Sequence, residues 1–482
     1  MHNGTRHRGW CEQQASQKHT ERGASNQEPG MHHVILLINN LNCSVHGQIT
    51  ENTRIYRNKI SNMRPEIFST FPSLLARLSC LFVVLLMQNQ NACGFLVPTS
   101  RLRRASLRLP PRAQLSNTKV ASQATVTPAV LQSGTAGYFQ FQGHNVFSTV
   151  YQGKPNKPAV ILVHGFGCSS LYWRETIQAL QSNGYTVHAI DLLGQGKSDK
   201  PGRKVGIEYS IDLWAKQIDE YAQSQVKATE MYLMGNSLGS VVALNAATGD
   251  FAADSENSTY LRSRVKGIGM FNCGIGMNSR NILLDYSGIQ KAVFTALFDL
   301  FDILIFDSIP LLTYVLDKVV TQELLRNALT GLYQYADDPN ARVDDALVDS
   351  FYYPAKDPGS PETLSQIYTN NPGKTPMVLY QEHIVFLQTQ VPIHLVWGKQ
   401  DGVTPLQGPV GQFFQNLSDD PTTNVSLDAI DGAGHIPFDE VPLCNDLMVN
   451  WLNMQTSIAA AAQQRKEKGM PAFFGDFKLP FL

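Results

Sequence analysis

The feature that most limits what this chain can fold into is the pentapeptide Gly235-Asn236-Ser237-Leu238-Gly239. It is set between an apolar run, MYLMG (231 to 235), and a helical stretch from Leu238 to Ala247. Two glycines around a serine at a strand-to-helix junction allow a turn so sharp that the hydroxyl sits exposed on its apex, above the N-terminus of the helix that follows. A glycine-rich turn with a capping serine is the plain alternative; a strand before it and a helix after it favour the nucleophile. The same alternation extends along the body. AVILVHG (159 to 165) reads as a buried strand, YWRETIQALQSN as a helix and YTVHAIDLLG as a strand. IDLWAKQIDEYAQSQ reads as a helix and VKGIGMFN (265 to 272) as a strand. Strands alternating with helices predict an α/β fold whose mostly parallel sheet carries helices on both faces. Ahead of it, YFQFQ and NVFSTVYQG around Gly143 read as an antiparallel hairpin.

The alternation stops at Cys273. Residues 273 to 390 look predominantly helical, after which VPIHLVWG, a helix and NVSLDAI resume the strands. A helical insertion late in such a sheet is expected to form a cap over its carboxyl edge, where open α/β sheets bind ligands. The core is therefore expected at 131–272 and 391–455, the cap at 273–390 and a C-terminal tail at 456–482.

A serine hydroxyl needs a base to take its proton, and the base needs an acid to hold its tautomer. Asp401, in VWGKQDGVTP, and His435, in DGAGHIPFDE, follow the last two strands, in the order Ser, Asp, His. Acyl transfer also needs donors where the carbonyl oxygen turns negative. The amide of Leu238, beside the nucleophile, and that of Phe166, in His164-Gly165-Phe166-Gly167, are the candidate pair. The chemistry calls for no metal and no organic cofactor.

HGFG, DLLGQGKSDKP, GNSLGS, WGKQD and GAGHIPFDE together resemble the α/β-hydrolases, the group containing epoxide hydrolases, haloalkane dehalogenases and serine esterases, over about residues 138 to 455. The resemblance implies the α/β-hydrolase fold with a catalytic triad of Ser237, Asp401 and His435. Serine at 237 speaks against epoxide hydrolase and dehalogenase chemistry, which use an aspartate there. DLLGQGKS, YSIDLWAKQIDEY, GNSLG and AGHIPFDEVP are similar to plant pheophytinase and its plastid relatives, although Ser240 stands where that group tends to have glycine. The implied function is hydrolysis of a carboxylic ester of a bulky lipophilic substrate, of the pheophytin or phytyl-ester type. A carbon–carbon bond hydrolase or acyltransferase using the same triad is one alternative, and a non-catalytic ligand receptor on the same fold is another.

Charge is divided unevenly. The whole chain is at -1, and segments 1–94 and 95–130, at +4 and +6, leave residues 131–482 at -11. So acidic a body repels phosphate backbones, which argues against nucleic acid as a partner. Of the seven cysteines, Cys168, Cys273 and Cys444 lie in the body at spacings that match neither a metal knuckle nor a disulfide framework, and are expected to be buried thiols.

Ahead of the body, no acidic residue lies between Glu66 and Glu175. There, Arg77 precedes the apolar run LSCLFVVLLM, and Ala92 and Gly94 mark a cleavage site before Phe95. This is the build of a signal peptide, expected over 63–94, with Met63 as a candidate start and residues 1–62 unassigned. The Arg- and Ser-rich segment 95–130 behind it is transit-peptide-like. The pair resembles the bipartite presequence of plastids acquired by secondary endosymbiosis, reached through the endoplasmic reticulum. An ordinary secretory signal followed by a basic linker, leading to secretion or an endomembrane lumen, is the alternative.

Within the cap, Lys291, Thr295, Asp299 and Asp302 fall in one narrow stripe of an otherwise apolar helix. Packing in the cap's own core is the first expectation. The others are an apolar gorge for a long aliphatic group and a peripheral contact with a membrane surface.

Overall fold

The computed structural model describes residues 134–467 except 156, 253–258, 286 and 335–341. The expected segments 1–62, 63–94 and 95–130, and the tail beyond residue 467, lie outside the described residues.

Among the described residues, eight strands form one sheet in the order β1-β2-β4-β3-β5-β6-β7-β8. The antiparallel hairpin β1 (Thr135–Phe141) and β2 (His144–Tyr151) adds to β4 (Thr186–Ile190) at one edge. From β4 the pairing is parallel through β3 (Ala159–Val163), β5 (Met231–Ser237), β6 (Val265–Cys273), β7 (Ile393–Gly398) and β8 (Val425–Ile430). The central parallel strands are continuous apolar runs because both faces are covered. On one face pack α2 (Ile211–Gln225) and α3 (Leu238–Thr248), with Trp214, Ile218, Val242 and Leu244 buried. On the other lie α1 (Arg174–Ser182) and the long C-terminal helix, with Ile177, Leu180, Met448 and Trp451 buried. Cys168, Cys273 and Cys444 are buried free thiols.

Between β6 and β7 run α4 (Gly288–Phe301), α5 (Ile309–Tyr314), α6 (Gln322–Thr330), α7 (Asp345–Ala355), α8 (Ser360–Thr369), α9 (Pro376–Glu382) and α10 (Ile384–Gln390). The stretch divides in a way its helical pattern did not disclose. Leu379, Tyr380, Phe386 and Leu387 are buried in the main core beside α3, and the Tyr380 ring contacts Phe413 and Phe414 of α11 (Pro409–Asp419). Residues 376–390 thus flank the sheet. A helix that covers a sheet and one that caps a site share the same 3.6-residue apolar period, so only packing separates them. After the short α12 (Pro437–Glu440), α13 spans Pro442–Glu467 and carries the fold past residue 455, where the tail was expected to begin.

Helix α4 departs most from expectation. None of its residues is buried. Ile289, Val293, Leu297 and Leu300, with Ile303 and Leu304 in the π-turn Asp302–Phe306 that follows, are 49–83% exposed. The end of its polar stripe turns inward instead: Asp302 is buried and pairs with Arg280, which also holds Asp299 at 3.0 Å. The helix therefore leaves an aliphatic side exposed while Phe294, Phe298 and Phe301 are half-buried, whereas a helix packed in a core would bury both. Half-buried Arg280 sets the rotation, because leaving a partly buried guanidinium and the buried Asp302 unpaired costs more than exposing leucines does. Among the described residues no helix is long and apolar enough to cross a membrane.

Candidate active site

Ser237 ends β5 with φ 53° and ψ -121°, one of three non-glycine residues at positive φ among those described. The strain of the elbow thus falls on the serine itself. Its glycines serve a different need. A Cβ on Gly235 would lie 2.3 Å from the backbone of Gly239, and one on Gly239 would lie 2.1 Å from the Val163 carbonyl oxygen. Helix α3 can start against β5 and β3 only if neither residue has a side chain.

Asp401, on the loop after β7, is buried, and its Oδ2 lies 2.8 Å from His435 Nδ1. The same oxygen accepts the Thr404 hydroxyl at 2.7 Å and the carboxamide of Asn272, while Oδ1 accepts the amides of Val403 and Thr404 at 2.7 and 3.1 Å. Burial pushes the carboxyl pKa up, but the His435 ring, Asn272 and Thr404 outweigh it and hold it down at about 2. An acid ionised so firmly keeps the histidine proton on Nδ1 and leaves Nε2 free to act as base, the tautomer being assigned from this bonding. No hydrogen bond joins Ser237 Oγ to His435 in this structure. Asn236 ties the two loops instead, its Nδ2 donating to the backbone carbonyls of His435 at 3.2 Å and Phe271 at 3.1 Å. Nucleophile–base bonds commonly tighten only in the substrate complex.

The turn His164–Cys168 commits most of its amides. Gly165 donates to the Tyr172 hydroxyl at 2.8 Å, Gly167 to Gln195 Oε1 at 2.6 Å and Cys168 to the Gly165 carbonyl at 3.4 Å. Among the described residues no acceptor takes the amide of Phe166 or that of Leu238, so both sequence-chosen donors are available to an oxyanion. Gly274 keeps the second open: a Cβ there would lie 3.1 Å from the Leu238 nitrogen. His164 braces the turn from below, with Nδ1 2.7 Å from the Gly165 carbonyl and Nε2 accepting the Leu192 amide at 2.9 Å. Burial lowers its pKa, outweighing Asp191 nearby, so the ring is a neutral strut.

The cap takes hold of the histidine loop. Leu332 O accepts the His435 amide at 3.0 Å, the Tyr333 hydroxyl donates to Asp439 at 2.8 Å, and Gln334 N donates to Glu440. Glu440 in turn accepts the Gly434 amide at 2.8 Å. Motif spacing pointed to Ser237, Asp401, His435, Phe166 and Leu238 but not to Asn272, Thr404, Asn236, Gly274 or Leu332. These act through a carboxamide, a hydroxyl, a missing side chain or a backbone carbonyl, and no pattern announces them.

A cleft of about 470 Å³, including its open mouth, lies beside the Phe166 turn, lined by Gln195, Leu316, Phe351, Pro354, Leu364 and Ile367 among others. An aromatic series connects it with the exposed helix. Phe301 meets Phe306 at 5.6 Å, Phe306 stacks on Tyr368 at 4.0 Å, and Tyr368 meets the Phe166 ring edge-on at 5.6 Å. Elsewhere, Asp250, Glu382 and His383 come together with a spacing that could hold a metal ion. The ammonium of Lys374 lies there, 2.8 Å from Asp250 and 2.7 Å from Glu382, which makes the group a salt-bridge clamp between the turn after α3 and the end of α9.

The family profile described as alpha/beta hydrolase fold matches residues 158–249. The chain is 34% identical over 111 residues, 21% of its own length and 23% of the relative's, to "Probable lysophospholipase BODYGUARD 2" of Arabidopsis thaliana. It is 33% identical over 90 residues, 19% of its length, to a pimeloyl-[acyl-carrier protein] methyl ester esterase of Aeromonas hydrophila, of which this covers 32%. The chain thus spans about a quarter to a third of the length of these relatives. Among solved structures, an epoxide hydrolase without ligand superposes with a TM-score of 0.48 at 20% identity, covering 66% of this chain and 98% of that one. A lipase from Acinetobacter baumannii, titled as putative, superposes with a TM-score of 0.47 at 18% identity, covering 67% and 92%.

Proposed function

We propose that this chain, whose fold is that of the α/β-hydrolases, is a serine hydrolase that cleaves a carboxylic ester of a lipophilic substrate. The observation that carries the reading is Ser237 held at φ 53° on the elbow while the Asp401–His435 pair is tied to it through Asn236. Ser237 Oγ attacks the ester carbonyl as His435 takes its proton. The amides of Phe166 and Leu238 stabilise the oxyanion, His435 protonates the leaving alcohol, and water then repeats the sequence on the acyl-enzyme. A fluorophosphonate probe should label Ser237, and Ser237→Ala should abolish both labelling and turnover. Labelling that survives the substitution would place the nucleophile elsewhere; folded protein that neither labels nor turns over esters would be a ligand receptor.

The substrate proposal rests on the apolar cleft beneath the cap and on the similarity to relatives named as probable lysophospholipases. Within it we favour a bulky planar or long-chain ester of the pheophytin or phytyl type, loaded at a membrane surface through the outward apolar side of α4. The aromatic series from Phe301 to Phe166 supports that route. The acid-free Arg-rich segment 95–130 supports residence in a plastid. Measuring kcat/KM from acetate to phytyl esters tests the substrate: each buried methylene contributes up to about 0.8 kcal/mol, so a flat profile would discard it. N-terminal sequencing of the native protein tests the address: a terminus between residues 115 and 135 is expected, and one at Phe95 would mean secretion.

A further inference from the structure

We propose that Gln195 is a specificity-determining residue. Its side-chain amide would donate to a second acceptor oxygen that the substrate carries close to the scissile ester. The inference rests on the hydrolase reading above and names the substrate class of the same site.

Gln195 sits between Gly194 and Gly196, which take φ of 89° and 52°. Both are obligatory glycines, since a Cβ on Gly194 would lie 2.5 Å from the Tyr209 ring and one on Gly196 2.3 Å from Asp191 Oδ2. Asp191 pins the loop, accepting the amides of Ser170 at 2.6 Å and Lys197 at 2.8 Å. This loop holds one side chain, Gln195, against the oxyanion turn.

The side chain is 4% exposed, and its Oε1 accepts the Gly167 amide at 2.6 Å. That bond settles which end of the amide is which, and Nε2 is left as a buried donor with no partner among the described residues. A buried NH₂ without an acceptor is costly and rare, and the residue that carries it lines the cleft together with Phe166 and Gly167. Much of the remaining lining, including Leu316, Phe351, Pro354 and Ile367, is apolar, with Lys200 and Thr363 among it. The occupant that suits this lining and the unpaired donor together is an apolar ester bearing one further carbonyl or ether oxygen. Phe166, the oxyanion donor, and Gly167, the Gln195 partner, are adjacent, so that oxygen lies within a few bonds of the scissile carbonyl. A site built to donate to a substrate oxygen rejects the analogue that lacks it.

Two matched pairs of long-chain esters test this on the purified chain. One pair compares a β-keto methyl ester with its methylene counterpart, the other an alkoxyethyl ester with its alkyl counterpart; each rate is corrected for alkaline hydrolysis. At least one pair should show about tenfold or greater preference in kcat/KM for the oxygenated member, carried mainly by KM. Gln195→Glu keeps an oxygen for the Gly167 amide but replaces the donor by an acceptor, and should bring that ratio to one or below. Two flat pairs in the wild type, or a ratio unchanged in Gln195→Glu, would overturn the proposal. Should the variant fail to fold, the wild-type pairs decide alone. Turnover without discrimination removes only the role of Gln195, whereas no turnover together with no fluorophosphonate labelling of Ser237 removes the hydrolase reading itself.

Discussion

The carboxamide of Asn272 donates to the same Asp401 oxygen that faces His435, and its Oδ1 accepts the Gly398 amide at 3.2 Å. The acid of the triad is therefore held from β6 as well as from its own loop. Asn272 reaches it from a positive φ of 44°, a conformation asparagine tolerates better than most residues.

Replacing Asn272 by alanine should lower kcat by about ten- to a hundredfold, as losing an orienting partner does. Fluorophosphonate labelling of Ser237 should persist but slow. Asp401→Asn should cost far more, about 10⁴ in kcat, because His435 then favours the wrong tautomer. Steady-state kinetics on one soluble ester compares the two, and equal losses would make Asn272 part of the acid itself.

The other carboxylates near His435 should behave differently from Asp401. Asp431 is paired with Lys399 at the surface, and its amide variant should keep near wild-type rates. Asp439, buried between Arg174 and Tyr333, should lower the melting temperature when changed to Asn, since a partly buried guanidinium loses one of its two carboxylate partners. A kcat collapse in Asp431→Asn with kcat preserved in Asp401→Asn would reassign the acid.

Gly274→Ala places a methyl group against the Leu238 amide. It should reduce kcat about tenfold or more with little change in thermal stability, the pattern of a damaged oxyanion donor. An unchanged kcat would mean that the Leu238 amide is not used.

Acid should unfold the protein in two stages. Burial holds His188 down at about 4 and lowers His164 as well, so both stay neutral in the fold while the unfolded chain takes up protons below about 6.5. Folded pKa values below the unfolded ones mean stability that is full above about 6.5 and is lost as pH falls towards 4. His188 alone contributes about 3 kcal/mol. Asp401, held at about 2, adds a further loss of about 2 kcal/mol as pH falls below 4. Melting temperatures measured from pH 8 to pH 3 should slope downward from about pH 6.5; a level profile down to pH 4 would contradict the burial of these histidines.

The outward side of α4 should matter only for substrate held in lipid. Leu297→Glu with Leu304→Glu should leave hydrolysis of a soluble ester near wild type while cutting hydrolysis of an ester embedded in neutral phospholipid vesicles by about tenfold or more. Removing two exposed leucines from a lipid contact costs a few kcal/mol. Equal rates on vesicles would discard loading at a membrane surface.

The strands, the elbow and the order Ser, Asp, His were legible because each rests on local pattern: period, glycine spacing and position after a strand. The rotation of α4 was not, since its stripe of Lys291, Thr295, Asp299 and Asp302 reads identically whether it faces water or a partner. The deciding partner, Arg280, lies in another element. The division of 273–390 into cap and sheet-flanking helices was hidden for the same reason. Asn272 and Leu332 were illegible for a further one: their roles depend on long-range approach, across 129 residues for the Asn272–Asp401 bond.

The hold of Leu332, Tyr333 and Gln334 on the loop from Gly434 to Glu440 bears on how such a protein can diversify. A cap is commonly pictured as an exchangeable module that retunes selectivity while the engine beneath stays constant. Here part of the engine's alignment is supplied by the module. A chimera carrying a foreign cap would inherit a histidine loop without its anchor unless the donor offers a carbonyl at the same place, so cap and catalytic loop should be transplanted, and should drift in sequence, as one unit.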